Sequence, residues 1–161
     1  KFPTRYLPTI LSKKDKTNQV KMLLKTRKMY KKNMYYKRKP LSSYKSMPSN
    51  HISNARKIYN ISSLQPSKKL AIKTGCSLDA LKKIVKKGEG AYYSSGSRPN
   101  QSPQSWGLAR LASSITAGKA AAVDYDIIEK GCNHNKMAFK LAKKSRRKYK
   151  FGQSKTRKVS A

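Results

Sequence analysis

The chain has 161 residues, of which 39 are Lys or Arg and six are Asp or Glu, giving a formal net charge of +33 at pH 7. Self-repulsion on that scale calls for an anionic partner, either nucleic acid or an acidic protein surface in a large assembly. No run of residues approaches a membrane-spanning helix or reads as a secretory signal, and two histidines with six scattered acids leave little for acid–base or metal chemistry, so a membrane protein and an enzyme are set aside.

Residues 1–64 carry 17 Lys and Arg against one acid, residues 65–142 carry 13 against five, and residues 143–161 carry nine against none. Five acids in the middle block predict a folded core over 65–142, flanked by a basic arm over 1–64 and a basic tail over 143–161. Proline breaks residues 1–11 at Pro3 and Pro8, so this apolar stretch reads as an extended anchor peptide. Ser12 then caps a helix, with Asp15 as a weak capping-box partner and Val20, Leu23 and Leu24 as a narrow apolar stripe, ending near Tyr30.

From Lys31 to Leu64 no period of 2 or 3.6 persists, and Tyr30, Tyr35, Tyr36, Tyr44 and Tyr59 are interleaved with Lys and Arg. Rings and cations mixed in this way stack on bases while holding phosphates, or anchor into a protein partner, or simply form a solvated arm. Such an arm is expected to gain order from a partner surface.

A pair of helices follows. Ser67 opens KKLAIKT, which Gly75 closes, and Ser77 caps LDALKKIVKK, which Gly88 closes. Ala71, Gly75 and Leu81 stand at helix-turn-helix spacing, in which case the second helix presents Ser77, Asp79, Lys82, Lys83 and Lys86 to a DNA groove. Any tight αα-hairpin with a glycine turn reproduces that spacing, and a structural hairpin is the stronger expectation.

Gly88 to Arg98 reads as a shaped loop because of its three glycines. Its Ser94, Ser95, Ser97 and Arg98 around Gly96 form either an anion nest or, preferably, a turn whose hydroxyls and guanidinium satisfy local carbonyls. Ser102 then caps a helix with Pro103 at its first position, carrying Trp106 and Ile115 and stopping at Gly118, expected as the central core helix. A short helix starts near Asp124 and ends at Gly131, and Asn133 caps a last one containing Met137, Phe139, Leu141 and Ala142. Cys76 and Cys132 read as two partly buried thiols rather than a bridge, and Cys132 with His134 lacks the second ligand cluster a metal site needs. The fold class expected is thus mainly α: a small core of αα-hairpin and tryptophan helix with long extended basic N- and C-terminal arms.

The stretch GEGAYYSSGSRPNQSPQSWGLARLASSITAGKAAAVDYDIIEKGC, with NARKIY, LAIKTGCSLDALKKIVKKG and RYLPTILSKKDK upstream, resembles a family of small basic proteins from large double-stranded DNA viruses, the phycodnavirus and mimivirus-like group. The resemblance covers nearly the whole chain and implies a viral source, but brings no catalytic residues to transfer.

The functional expectation is a minor capsid protein on the inner face of the virion shell, assembled in host cytoplasm, that ties capsomers together through its core and arms. Its partners would be major and other minor capsid proteins in a multi-copy assembly, with viral DNA as a further partner. The alternative is a DNA-binding virion protein, a helix-turn-helix reader or a nonspecific condenser of the genome. Candidate partner- and nucleic-acid-binding residues are Ser77, Lys82, Lys83 and Lys86 on the hairpin, Arg98 in the serine-rich turn, Tyr35, Tyr36 and Arg38 in the arm, and Arg146 and Arg147 in the tail. No cofactor, metal or catalytic residue is expected, and no Ser–His–Asp spacing among the serines, His51, His134 and Asp124 suggests one.

Overall fold

A computed structural model describes residues 1–161 and is mainly α, with eight helices and one two-residue antiparallel strand pair. In chain order these are β1 (Phe2–Pro3), α1 (Lys13–Tyr30), α2 (Asn50–Tyr59), α3 (Lys68–Thr74), α4 (Leu78–Ser94), α5 (Pro103–Ser114), α6 (Lys119–Val123), α7 (Tyr125–Gly131), α8 (Met137–Lys148) and β2 (Lys158–Val159). Two compact units divide the chain: residues 1–47, 89–106 and 155–161 in the first, 48–88 and 107–154 in the second.

Serine caps set most helix starts. The hydroxyls of Ser12, Ser67, Ser77 and Ser102 accept from the backbone N–H of Asp15, Leu70, Ala80 and Ser105, each satisfying a donor that the first helical turn leaves open. At the other end of α3, Gly75 takes the left-handed conformation at φ 77°, and a Cβ there would collide with Lys136.

In the second unit, Leu81, Ile84, Leu111, Ile115 and Ile128 are fully buried and form one apolar core with Tyr59, Leu70 and Phe139. The Tyr59 hydroxyl donates to Ile115 O, and burial pushes its phenol pKa up. Asp124, with a fully buried side chain, accepts from Arg110 Nε and Nη2 at 2.7 Å each and pairs with Lys87 Nζ at 3.0 Å. Two oxygens matched to a planar fork remove most of the cost of burying this carboxylate.

The expectation of two free thiols is overturned: Cys76 and Cys132 form a disulfide. They face each other in an antiparallel bridge flanked by Ser77 N to Gly131 O and Asn133 N to Gly75 O, both 2.7 Å. That bridge fastens the α3–α4 turn to the link between α7 and α8, and it removes Cys132 from any metal-ligand role.

In the first unit, Phe2, Tyr6, Leu7 and Leu23 make a small apolar cluster, packed by Val20, Trp106 and Val159. Tyr6 meets Trp106 edge-on at 6.3 Å. β1 and β2 pair Phe2 with Val159 and Pro3 with Lys158, so the last residues return to the first.

Four local expectations fail. The 31–64 stretch contains α2, capped by Ser49 and ended by left-handed Asn60. α4 runs on through Gly88 and Gly90 to Ser94, because Gly88 is buried on its packed face and packing outweighs glycine's weak helix propensity. α5 ends at Ser114 rather than Gly118, and an unforeseen α6 follows. α8 begins after Lys136, not at an Asn133 cap, and extends to Lys148.

Candidate polyanion-binding surfaces

Residues 31–47 have no helix or strand, yet they are fastened within the first unit by side chains. Asp15 accepts from Ser43 N and Ser43 Oγ, which holds its carboxyl below the ordinary 3.8. Asn100 accepts from Leu41 N at 2.7 Å and donates to Leu41 O and Tyr44 O. These bonds tie down a stretch that the sequence suggests is ordered only by a partner, because the side chains concerned reach in from α1 and from beyond α4.

Arg38 lies among these fasteners. Its backbone N–H donates to the Tyr92 hydroxyl, Nη1 donates to Tyr92 O at 2.9 Å and Nη2 to Ser97 Oγ at 2.8 Å, while its guanidinium lies 3.8 Å from the Tyr92 ring centroid. Tyr92 and Ser97 are fully buried. Burial pulls the Arg38 pKa below the usual arginine range, with Arg27 acting the same way and Tyr92 against it. Arg27 Nε donates to Ser95 O at 2.8 Å. Ser97 Oγ donates to Arg98 O, as the turn reading expects, but the Arg98 guanidinium, expected to satisfy a local carbonyl, is exposed to solvent instead.

Tyr35 belongs to a ring cluster. It meets Tyr30 and Tyr93 edge-on at 6.0 and 5.2 Å, and those two stack at 6.0 Å with 11° between their planes. Burial pushes Tyr93 up, and Tyr92 and Glu89 add to the shift. Tyr36 stands apart from that cluster, with Lys25 Nζ 4.3 Å from its ring.

In the second unit Ser77, Asp79, Lys82, Lys83 and Lys86 are all exposed at the start of α4. Ser77 spends its hydroxyl on the helix cap. Lys83, Lys86 and Lys87 with Ile127 line a shallow depression of about 260 Å³. Arg146 and Arg147 part company: Arg146 stacks on Tyr125 and Phe151 at 4.4 and 4.7 Å, whereas Arg147 is exposed. The structure therefore groups Tyr35 with Arg38 in the first unit and Ser77 with the α4 lysines in the second.

Sequence reasoning left out Tyr30 and Tyr93 as partners of Tyr35, Arg27 beside Arg38, and the Asp124 ion cluster. A signal for Tyr93 existed, since Leu81, Ile84, Gly88 and Tyr92 continue one helical face into the supposed loop.

No helix here is long and apolar enough to cross a membrane. No curated protein and no solved structure matches the chain. The model of a family of unknown function, DUF5824, matches residues 3–136, and the chain belongs to that family.

Proposed function

We propose that this protein is a structural component of a viral particle, a minor capsid protein that ties capsomers together beneath the outer shell. The observation that carries the reading is the spread of exposed cations lacking acidic neighbours. Lys31, Lys32, Lys37, Lys39 and Lys45 mark residues 31–49, and Lys143, Lys144, Arg147, Lys148, Lys150, Lys155 and Arg157 mark the C-terminal stretch. Such surfaces suit an extended interface with acidic patches of major and other minor capsid proteins, repeated over many copies, better than a single pocket. In the proposal these two basic stretches, the first held by side-chain hydrogen bonds and the second beginning on α8, are the surfaces that meet neighbouring capsomers. The exposed Met47 and Phe151 supply apolar anchors within them. The buried disulfide supports a working location outside a reducing cytosol, as in a released particle, although assembly takes place in the host cytoplasm. The role is structural rather than catalytic, since the residues gathered at the surface are cations and rings.

Virions emptied of their genome test this. Retention of the protein with the empty shells supports the capsid role, and departure with the released DNA overturns it.

A second reading, a DNA-binding virion protein, draws on α4, where Lys82, Lys83 and Lys86 face solvent directly after the Gly75 turn. Lys82→Glu with Lys86→Glu then abolishes duplex binding, and the wild-type affinity falls steeply with salt. Unchanged retention of the double variant on DNA rejects groove reading.

A further inference from the structure

The first unit carries nineteen Lys and Arg against two acids, Asp15 and Glu89. Asp15 is occupied by Ser43, and Glu89 lies beside Tyr93. Arg27 and Arg38 consequently have no carboxylate partner. Arg38 is partly buried, and a desolvated cation normally has a counter-charge. Here its donors meet only a carbonyl and a hydroxyl, and Arg27 spends one donor on Ser95 O, leaving most of the N–H groups of both guanidinium groups open. The two like charges act on each other and are held on the same Tyr92–Ser97 segment.

The ring cluster adjoins this pair. Tyr92 contacts Arg38 through its face and Tyr93 through its edge, at 5.1 Å between ring centroids. Tyr35 is 66 % exposed although Tyr30 and Tyr93 brace it. An exposed ring held in place by two others has already lost its rotamer freedom, so a flat ligand stacking on it meets little further entropic cost.

We propose that Tyr35, braced by Tyr30 and Tyr93, together with the Arg27–Arg38 pair, forms a binding site for single-stranded nucleic acid, with a base on the Tyr35 ring and backbone phosphate on the guanidinium groups. Stacking accepts any base, and the phosphate contact is charge-assisted and follows the backbone, the two components of sequence-tolerant single-strand binding. The site uses none of the α4 lysines and rests on neither reading given above.

Charge alone makes this protein bind any polyanion, so the test isolates stacking. The probes are fluorescein-labelled strands of about 20 nucleotides, one of deoxythymidine, whose weak self-stacking leaves its bases available, and one fully abasic, both at about 200 mM salt. The wild type is expected to prefer the thymidine strand roughly tenfold. Tyr35→Ala removes that preference, Tyr35→Phe keeps it, and Arg27→Gln weakens both strands alike. The high exposure of Tyr35 makes its two variants safe for folding. Lys82→Glu with Lys86→Glu on α4 leaves the preference unchanged. Equal wild-type binding of the two strands overturns the proposal, as does a preference that survives Tyr35→Ala, one lost with the α4 double variant, or displacement of the thymidine strand by polyglutamate as readily as the abasic one.

Discussion

The two units solve the same problem, a chain crowded with cations, by different means. The second buries a broad apolar core, closes a covalent loop and sinks one carboxylate against a bidentate arginine. The first has four buried apolar residues at its centre and depends on polar side chains to hold an irregular stretch. Apolar burial tolerates repacking and is non-directional, whereas hydrogen bonds to a strand-less segment fix individual atoms. The first unit should accordingly break locally, residue by residue, and the second as a whole.

The disulfide gives the largest expected effect. It closes a loop of sequence separation 56, which by loop-closure entropy corresponds to about 4 kcal/mol. Cys76→Ala with Cys132→Ala should lower the protection of the Leu81, Ile115 and Ile128 amides in hydrogen exchange by that amount, leaving Leu23 and Tyr92 protected. Equal loss in both sets would erase the distinction between the units.

Next comes Asp124. Arg110→Met leaves this buried carboxylate only Lys87, whose side chain is 50 % exposed, and should cost about 3 kcal/mol. Adding Asp124→Asn should restore part of the loss in denaturant titrations, because the uncompensated charge is then gone.

In the first unit Gly96 holds φ +135°, and a Cβ there would lie 2.8 Å from Leu23 Cδ2 and 2.9 Å from Tyr6 Cε2. Gly96→Ala combines backbone strain with overpacking and should destabilise by about 2 kcal/mol. Asn100→Ala strands Leu41 N–H and removes the donor to Leu41 O and Tyr44 O, and should cost about 1 kcal/mol, seen as faster exchange at Leu41 and Tyr44.

What was legible in the sequence follows the same division. The mainly α class and the serine-capped starts of α1, α3, α4 and α5 were readable because a cap is a contact over three residues. α2 was hidden because it buries only Ala55 and Tyr59, too thin a stripe to show a period. The far half of α4 was hidden because its glycines look like stops until a neighbour packs on Gly88. No spacing rule pairs Cys76 with Cys132, since their meeting requires the α7–α8 link to pass beside the α3–α4 turn. The aromatic and cationic character of Tyr35, Tyr36 and Arg38 was plain, but Tyr93 and Ser97, more than 50 positions along the chain, could be joined to them only by the fold.

The smallest effect is a pH dependence confined to the first unit. Ser43 N–H and Oγ both donate to the Asp15 carboxylate, and these bonds favour its charged form, so its folded pKa lies below the ordinary 3.8. A carboxyl with a depressed folded pKa contributes stability that is fully present above its unfolded value and lost as pH falls through the folded one. Chemical shifts of the Ser43 amide should therefore hold steady from neutral pH to about 4 and move only below it, with exchange rising at Ser43 and Ser12, whose own N–H donates to Ser43 Oγ. Asp15→Asn retains an acceptor but not the charge and should flatten the transition. If the Ser43 amide titrated instead near the ordinary aspartate value, this carboxylate would contribute nothing to holding residues 31–49, and the task would fall to Asn100 and Arg38.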